Sequence, residues 1–108
     1  MKVQYPLFSQ VALAEDLPEH SLKRGEIATV VEHYPMPEGD KDGYSLEGFN
    51  IPNVTVEVAA SQIISIRQCQ QEEEILAKLR QLSRTRQLQL EEYLDFLIQK
   101  EEEQRIAR

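Results

Sequence analysis

Val54-Thr55-Val56-Glu57-Val58-Ala59-Ala60-Ser61-Gln62-Ile63-Ile64-Ser65-Ile66-Arg67-Gln68-Cys69-Gln70-Gln71-Glu72-Glu73-Glu74-Ile75-Leu76-Ala77-Lys78-Leu79 changes its hydrophobic period partway along. At its start Val54, Val56 and Val58 alternate with Thr55 and Glu57, the period of two that a half-buried strand requires. Ile63 to Ile66 reads as a short closing strand. From Gln71 onward Ile75, Leu76, Leu79 and Leu82 fall at helical spacing, and Leu90, Leu94, Leu97 and Ile98 continue the stripe. The chain therefore passes from β-structure to α-structure within this stretch.

Working outward, all four glycines and all five prolines precede residue 53, and nothing after Gln68 is either. Reversals between short strands need the φ freedom of Gly or the fixed φ of Pro, so the first part reads as all-β. Leu7 to Ala14, Glu26 to Tyr34 and Tyr44 to Phe49 are its other strands. Short strands without a helix between them predict a small closed barrel, because closure removes exposed edges, and an SH3-like barrel fits best. In the second part Glu72, Glu73 and Glu74 suit a helix N-terminus, and Ser83 suits the N-cap of a second helix beginning near Arg84. A single helix of about 35 residues, some 50 Å long, stays open as the alternative. The fold expectation is thus α+β: an SH3-like β-barrel domain over residues 1–68, then one or two amphipathic helices forming an interaction segment over residues 69–108.

The 108 residues carry twelve Lys and Arg against nineteen Asp and Glu, a net charge of -7. That sign opposes phosphate neutralisation, so nucleic acid is not an expected partner. The N-terminus around Lys2 and Pro6 lacks the apolar run of a signal peptide, and no stretch is long and apolar enough for a membrane span. With one cysteine, Cys69, a reducing cytoplasmic setting is expected.

Candidate chemistry is sparse. The acidic loop Glu38-Gly39-Asp40-Lys41-Asp42-Gly43 lacks the alternate-position carboxylates of a calcium loop and reads as a solvated hairpin tip. His20 and His33 are too few for zinc, and His33 reads as a strand-end residue facing water or making a satisfied polar contact. Serines lack a nucleophile elbow, and Cys69 lacks an activating neighbour. The expectation is no enzyme, no cofactor and no metal.

The run Glu15-Asp16-Leu17-Pro18, then Leu22-Lys23-Arg24-Gly25-Glu26-Ile27-Ala28-Thr29-Val30-Val31-Glu32, resembles an uncharacterised family common in cyanobacteria, the domain-of-unknown-function family 4926. Ala28 stands where that family usually has Gly. The resemblance implies a small SH3-like barrel over Leu7 to Ile66. Ile75 to Leu79, Leu82-Ser83 and Leu94 to Leu97 are similar to the helical segments of small antitoxin-like proteins. That resemblance implies an acidic protein that binds and restrains a partner, such as a cognate toxin.

Two surface features compete for function. Leu90, Tyr93, Leu94, Leu97 and Ile98 form the candidate partner-binding stripe, because a barrel of about 11 Å radius of gyration cannot cover two amphipathic helices. Self-association through the helices is expected for the same reason. Lys78, Arg80, Arg84 and Arg86 are the only basic concentration. Ion pairing with Glu74, Glu91 and Glu92 is their expected role, and phosphate contact in an operator-binding regulator the alternative. A structural adaptor of a larger complex is the third reading.

Overall fold

The computed structural model describes residues 4–50 and 52–106. The outermost residues of the two expected segments, 1–3 and 107–108, lie outside that description. Five strands come first: β1 Gln10–Leu13, β2 Ile27–Tyr34, β3 Gly43–Glu47, β4 Val56–Ala59 and β5 Ile63–Ser65. Two helices follow, α1 Ile66–Arg80 and α2 Arg84–Ile106. The chain divides into two compact units, Met1–Glu72 and Glu73–Arg108, and the division falls inside α1.

In the first unit the strands form one antiparallel sheet in the order β4-β3-β2-β1-β5. Val11 opposite Ala28, Leu13 opposite Ile63, Val30 opposite Leu46 and Tyr44 opposite Val58 put their side chains into one core cluster. Val30, Tyr44, Leu46 and Val56 are wholly buried there although neither helix contributes to the cluster. Leu17, Leu22 and Phe49, from outside the strands, join the same cluster, with Tyr5, Val54 and Ala60 packed against it. A bulge between Val30 and Glu32 in β2 increases the local twist. The ladders do not close into a ring: among the described residues β4 and β5 are the sheet's edges.

The opposite face of β1 and β5 has a separate cover. Ala12 and Ile64, paired across the ladder, pack against Cys69 and Ile66 from the first turn of α1. Cys69 is a free thiol filling this contact. Helix α1 starts earlier than its leucine period suggests because Ser65 caps it: the Gln68 amide donates to Ser65 Oγ at 3.1 Å. Glu72, Glu73 and Glu74 therefore lie inside α1 and not at its N-terminus. Glu72 instead accepts from Gln68 Nε2 at 3.1 Å and from Arg24 Nη2 at 3.4 Å.

The first strand is shorter than its apolar run. Pro6 to Ser9 form a turn in which both the amide and the hydroxyl of Ser9 donate to the Pro6 carbonyl. Phe8 takes a positive φ of 68° there, a strained region for an aromatic residue. The loop after it explains the family-like phrase around residues 15–32. Asp16 Oδ1 accepts the Arg24 amide at 2.8 Å, Glu26 Oε2 accepts the Lys23 amide at 2.6 Å, and Leu17 bridges Leu22. Gly25, at φ 90°, completes this reversal in a conformation a Cβ would penalise. These motif residues build turns.

Candidate functional site

In the second unit, Ser83 separates the two helices. The Arg86 amide donates to Ser83 Oγ at 3.3 Å and the Gln87 amide to the Ser83 carbonyl at 2.9 Å, the geometry of a helix N-cap. The end of α1 tightens, with Gln81 and Leu82 amides reaching back three residues to Lys78 and Leu79. Gln87 Nε2 then donates to the carbonyls of Leu79 at 3.1 Å and Leu82 at 3.3 Å. A side chain of α2 thus satisfies carbonyls at the end of α1, and the alternative of one continuous helix is not what the chain adopts.

Next to this clamp Leu79, Leu88, Leu90 and Leu94 line a cleft of about 220 Å³ edged by Arg84 and Glu91. Of the five expected partner-binding residues, Leu90 is half-buried, while Tyr93, Leu94, Leu97 and Ile98 are exposed, Tyr93 to 57%. At 100° per residue these five share one side of α2. Leu88 and Phe96 are exposed as well and lie off the stripe, so α2 is less cleanly amphipathic than the leucine spacing implies. Phe96 stacks on Tyr93 at 6.3 Å, with Lys100 Nζ 5.5 Å from its ring centre. That arrangement partly covers Phe96 and leaves the stripe open.

Lys78, Arg80, Arg84 and Arg86 are all exposed. Their expected pairing with Glu74, Glu91 and Glu92 does not form: among the described residues none of the four cations meets a carboxylate. Arg86 Nη1 bonds Gln89 Oε1 at 2.9 Å instead.

The first unit holds a polar cluster that sequence reasoning missed. Asp42, expected at a solvated hairpin tip, is only 3% exposed. Its Oδ2 lies 2.7 Å from His33 Nε2 and its Oδ1 accepts the Met36 amide at 2.9 Å. The carboxylate accepts in both, so Nε2 is the ring nitrogen that donates. His33, partly exposed, also stacks on the buried Tyr44 ring at 4.8 Å. Tyr44 Oη accepts the Tyr5 amide at 3.2 Å, and Tyr5 Oη donates to the Ile63 carbonyl at 3.3 Å. Burial, then the nearby Tyr44, pushes the Tyr5 hydroxyl above its ordinary value. Tyr34 Oη lies 2.8 Å from Ser45 Oγ and 2.8 Å from Glu32 Oε2. The Ser45 bond lowers the Tyr34 pKa, but the Glu32 bond, desolvation and the charges of Glu32 and Glu57 outweigh it, and the net shift is upward.

A shallow cleft of about 320 Å³ runs beside this cluster, lined by Tyr34, Met36, Lys41, Glu57, Val58 and Gln62 among others. Every buried side-chain polar atom among the described residues has a partner. The Asp42 network braces the loop between β2 and β3 and presents no unsatisfied group to a ligand. The one local signal for it was an acid immediately before Gly43 at a strand start, too common to decide burial. Among the described residues no three His, Cys, Asp or Glu side chains are grouped to hold a metal, and no helix is long and apolar enough to cross a membrane.

The sequence profile described as Domain of unknown function (DUF4926) matches residues 7–62. No curated protein and no solved structure matches the chain. The matched span stops before α1 and α2, so the exposed stripe lies outside it.

Proposed function

We propose that this chain, which belongs to the family Domain of unknown function (DUF4926), is a cytoplasmic, non-enzymatic protein-interaction module with an antitoxin-like role, binding and restraining a partner protein through α2. The observation that carries this reading is the run Tyr93, Leu94, Leu97 and Ile98, large apolar side chains exposed together on one side of the helix beside half-buried Leu90. Contiguous apolar surface of this kind marks interfaces, and anchors at this spacing suit a helix seated in a partner's groove. The family portion supplies a self-sufficient core in the sheet, to which none of these residues belongs.

The test is co-expression with the protein encoded beside it, followed by calorimetry with the wild type and with Leu94→Glu/Leu97→Glu. Two carboxylates in a surface that must be desolvated weaken binding at least tenfold, since truncating such anchors commonly costs about 2 kcal/mol or more. The strand signal in circular dichroism stays unchanged. Equal affinity for both forms would move the interface off α2.

A second reading, an operator-binding regulator, is favoured by the absence of carboxylate partners at Lys78, Arg80, Arg84 and Arg86 among the described residues. Phosphate contacts release counterions, so that reading requires affinity for DNA that falls steeply with salt and with loss of each cation. A flat salt response leaves the protein-binding reading alone.

A further inference from the structure

We infer that α2 pairs with α2 of a second copy of this chain, antiparallel and two-fold symmetric about the Tyr93–Leu94 step. The inference rests on the reading of α2 as the interaction element, and it names a partner that needs no second gene product.

Arg86 precedes the apolar stripe and Glu101 follows it, and at 100° per residue both lie on the stripe's side of α2. Overlaying two copies head to tail so that Leu90 faces Leu97 and Tyr93 faces Leu94 brings Arg86 against Glu101. The register that matches apolar side chains is thus also one that matches opposite charges. A parallel pair would instead place Arg86 against Arg86 and Glu101 against Glu101. Helix dipoles add to the same preference, because antiparallel axes set each positive N-terminus beside a negative C-terminus. Among the described residues Arg86 has no carboxylate partner, so the pairing breaks no existing ion pair. The two acids nearest the axis, Glu92 and Asp95, fall on the far side of the helix from the seam.

The contact is isologous, so each ion pair occurs twice. Surface pairs are individually weak and screened by salt, and the apolar stripe supplies the bulk of the attraction. The charges select orientation, as flanking charges do in paired helices.

Sedimentation of the intact chain at low salt should show a monomer–dimer equilibrium. Arg86→Glu should weaken it about tenfold, and adding Glu101→Arg in the same chain should restore it. Orientation is read by mixing chains carrying Arg86→Cys with chains carrying Glu101→Cys, with Cys69 retained because it is buried. Positions 86 and 101 are about 22 Å apart along one helix, so oxidation of an antiparallel pair gives the mixed 86–101 disulfide. Predominant 86–86 disulfides, a charge reversal without effect, or a monomer at every concentration would each overturn the pairing. Circular dichroism of every variant confirms retained helix. Binding of the co-expressed protein, measured separately, reports on the proposed function, so the two can fail independently.

Discussion

Gln87 on α2 donates from one amide nitrogen to the Leu79 carbonyl of α1, 3.1 Å away, and also reaches Leu82. The last carbonyls of a helix lack the regular donor four residues on, and here the Leu79 carbonyl accepts both the Leu82 amide and a side chain from beyond the turn. Ser83 starts α2, while Gln87 ties the new helix back to the old. The angle at which α2 leaves α1, and with it the direction the exposed stripe faces, depends on both.

Gln87→Met keeps length and helix propensity but removes the donor. It should lower the local stability of the turn by about 1 kcal/mol, the usual net value of one hydrogen bond, and so speed amide exchange at Leu82 and Gln87 about fivefold. Unchanged protection would show that the Ser83 cap alone holds the bend.

Ser65→Ala should cost about 1 kcal/mol by removing the N-cap of α1. Because that turn carries Cys69 onto Ala12 and Ile64, the loss should appear in the unfolding of the sheet unit and not as local fraying. Urea denaturation followed by strand and helix signals together distinguishes the two.

Asp42→Ala removes the acceptor of His33 Nε2 and of the Met36 amide at once. A fully buried group left unsatisfied costs about 1–3 kcal/mol, and because His33 and Met36 keep part of their surface in water, the variant should lose about 2 kcal/mol. At roughly 4–8 °C per kcal/mol for a domain of this size, the fall in Tm is large. A double-mutant cycle with His33→Phe, which keeps a ring on Tyr44, should show coupling between the two sites. Additive effects would mean that the 2.7 Å contact contributes little.

Tyr5 predicts a pH response. Its hydroxyl titrates above the ordinary 10.0 in the folded chain, so the folded state holds this proton more tightly than the unfolded state does. The corresponding stability is fully present below the unfolded value and is lost as pH rises through the folded one. Ionisation also removes the donor to the Ile63 carbonyl. Wild type should therefore lose stability more steeply than Tyr5→Phe as pH rises above the ordinary value of 10.0. Equal slopes for the two, by chemical denaturation, would count against burial of this hydroxyl.

Much of the architecture was legible along the chain because its causes are local. The alternation at Val54 to Val58 marks Val56 and Val58 as core, and both are buried, since side chains on a strand change face at every residue. Ser83 marks a cap because its hydroxyl reaches an amide three residues on. The leucine spacing after Gln71 marks a helix, since 3.6 residues per turn is a property of the helix itself.

Other features depend on where the chain returns to. Ile66 reads as the end of a strand until Ala12 and Ile64 offer a surface on which α1 already begins at that residue. Glu72 reads as a helix-start charge until Arg24, 48 positions away, comes within 3.4 Å. Asp42 looks like a solvated turn acid until His33 and the Met36 amide close over it, and Leu7 to Ser9 looks like strand until Ser9 folds back on Pro6. The division is physical. Periodicity and capping involve atoms a few residues apart, which meet in almost any setting, so residue order alone decides them. Burial of a polar side chain requires partners and cover that only the folded sheet brings together, so for Asp42 the three-dimensional packing had the final word.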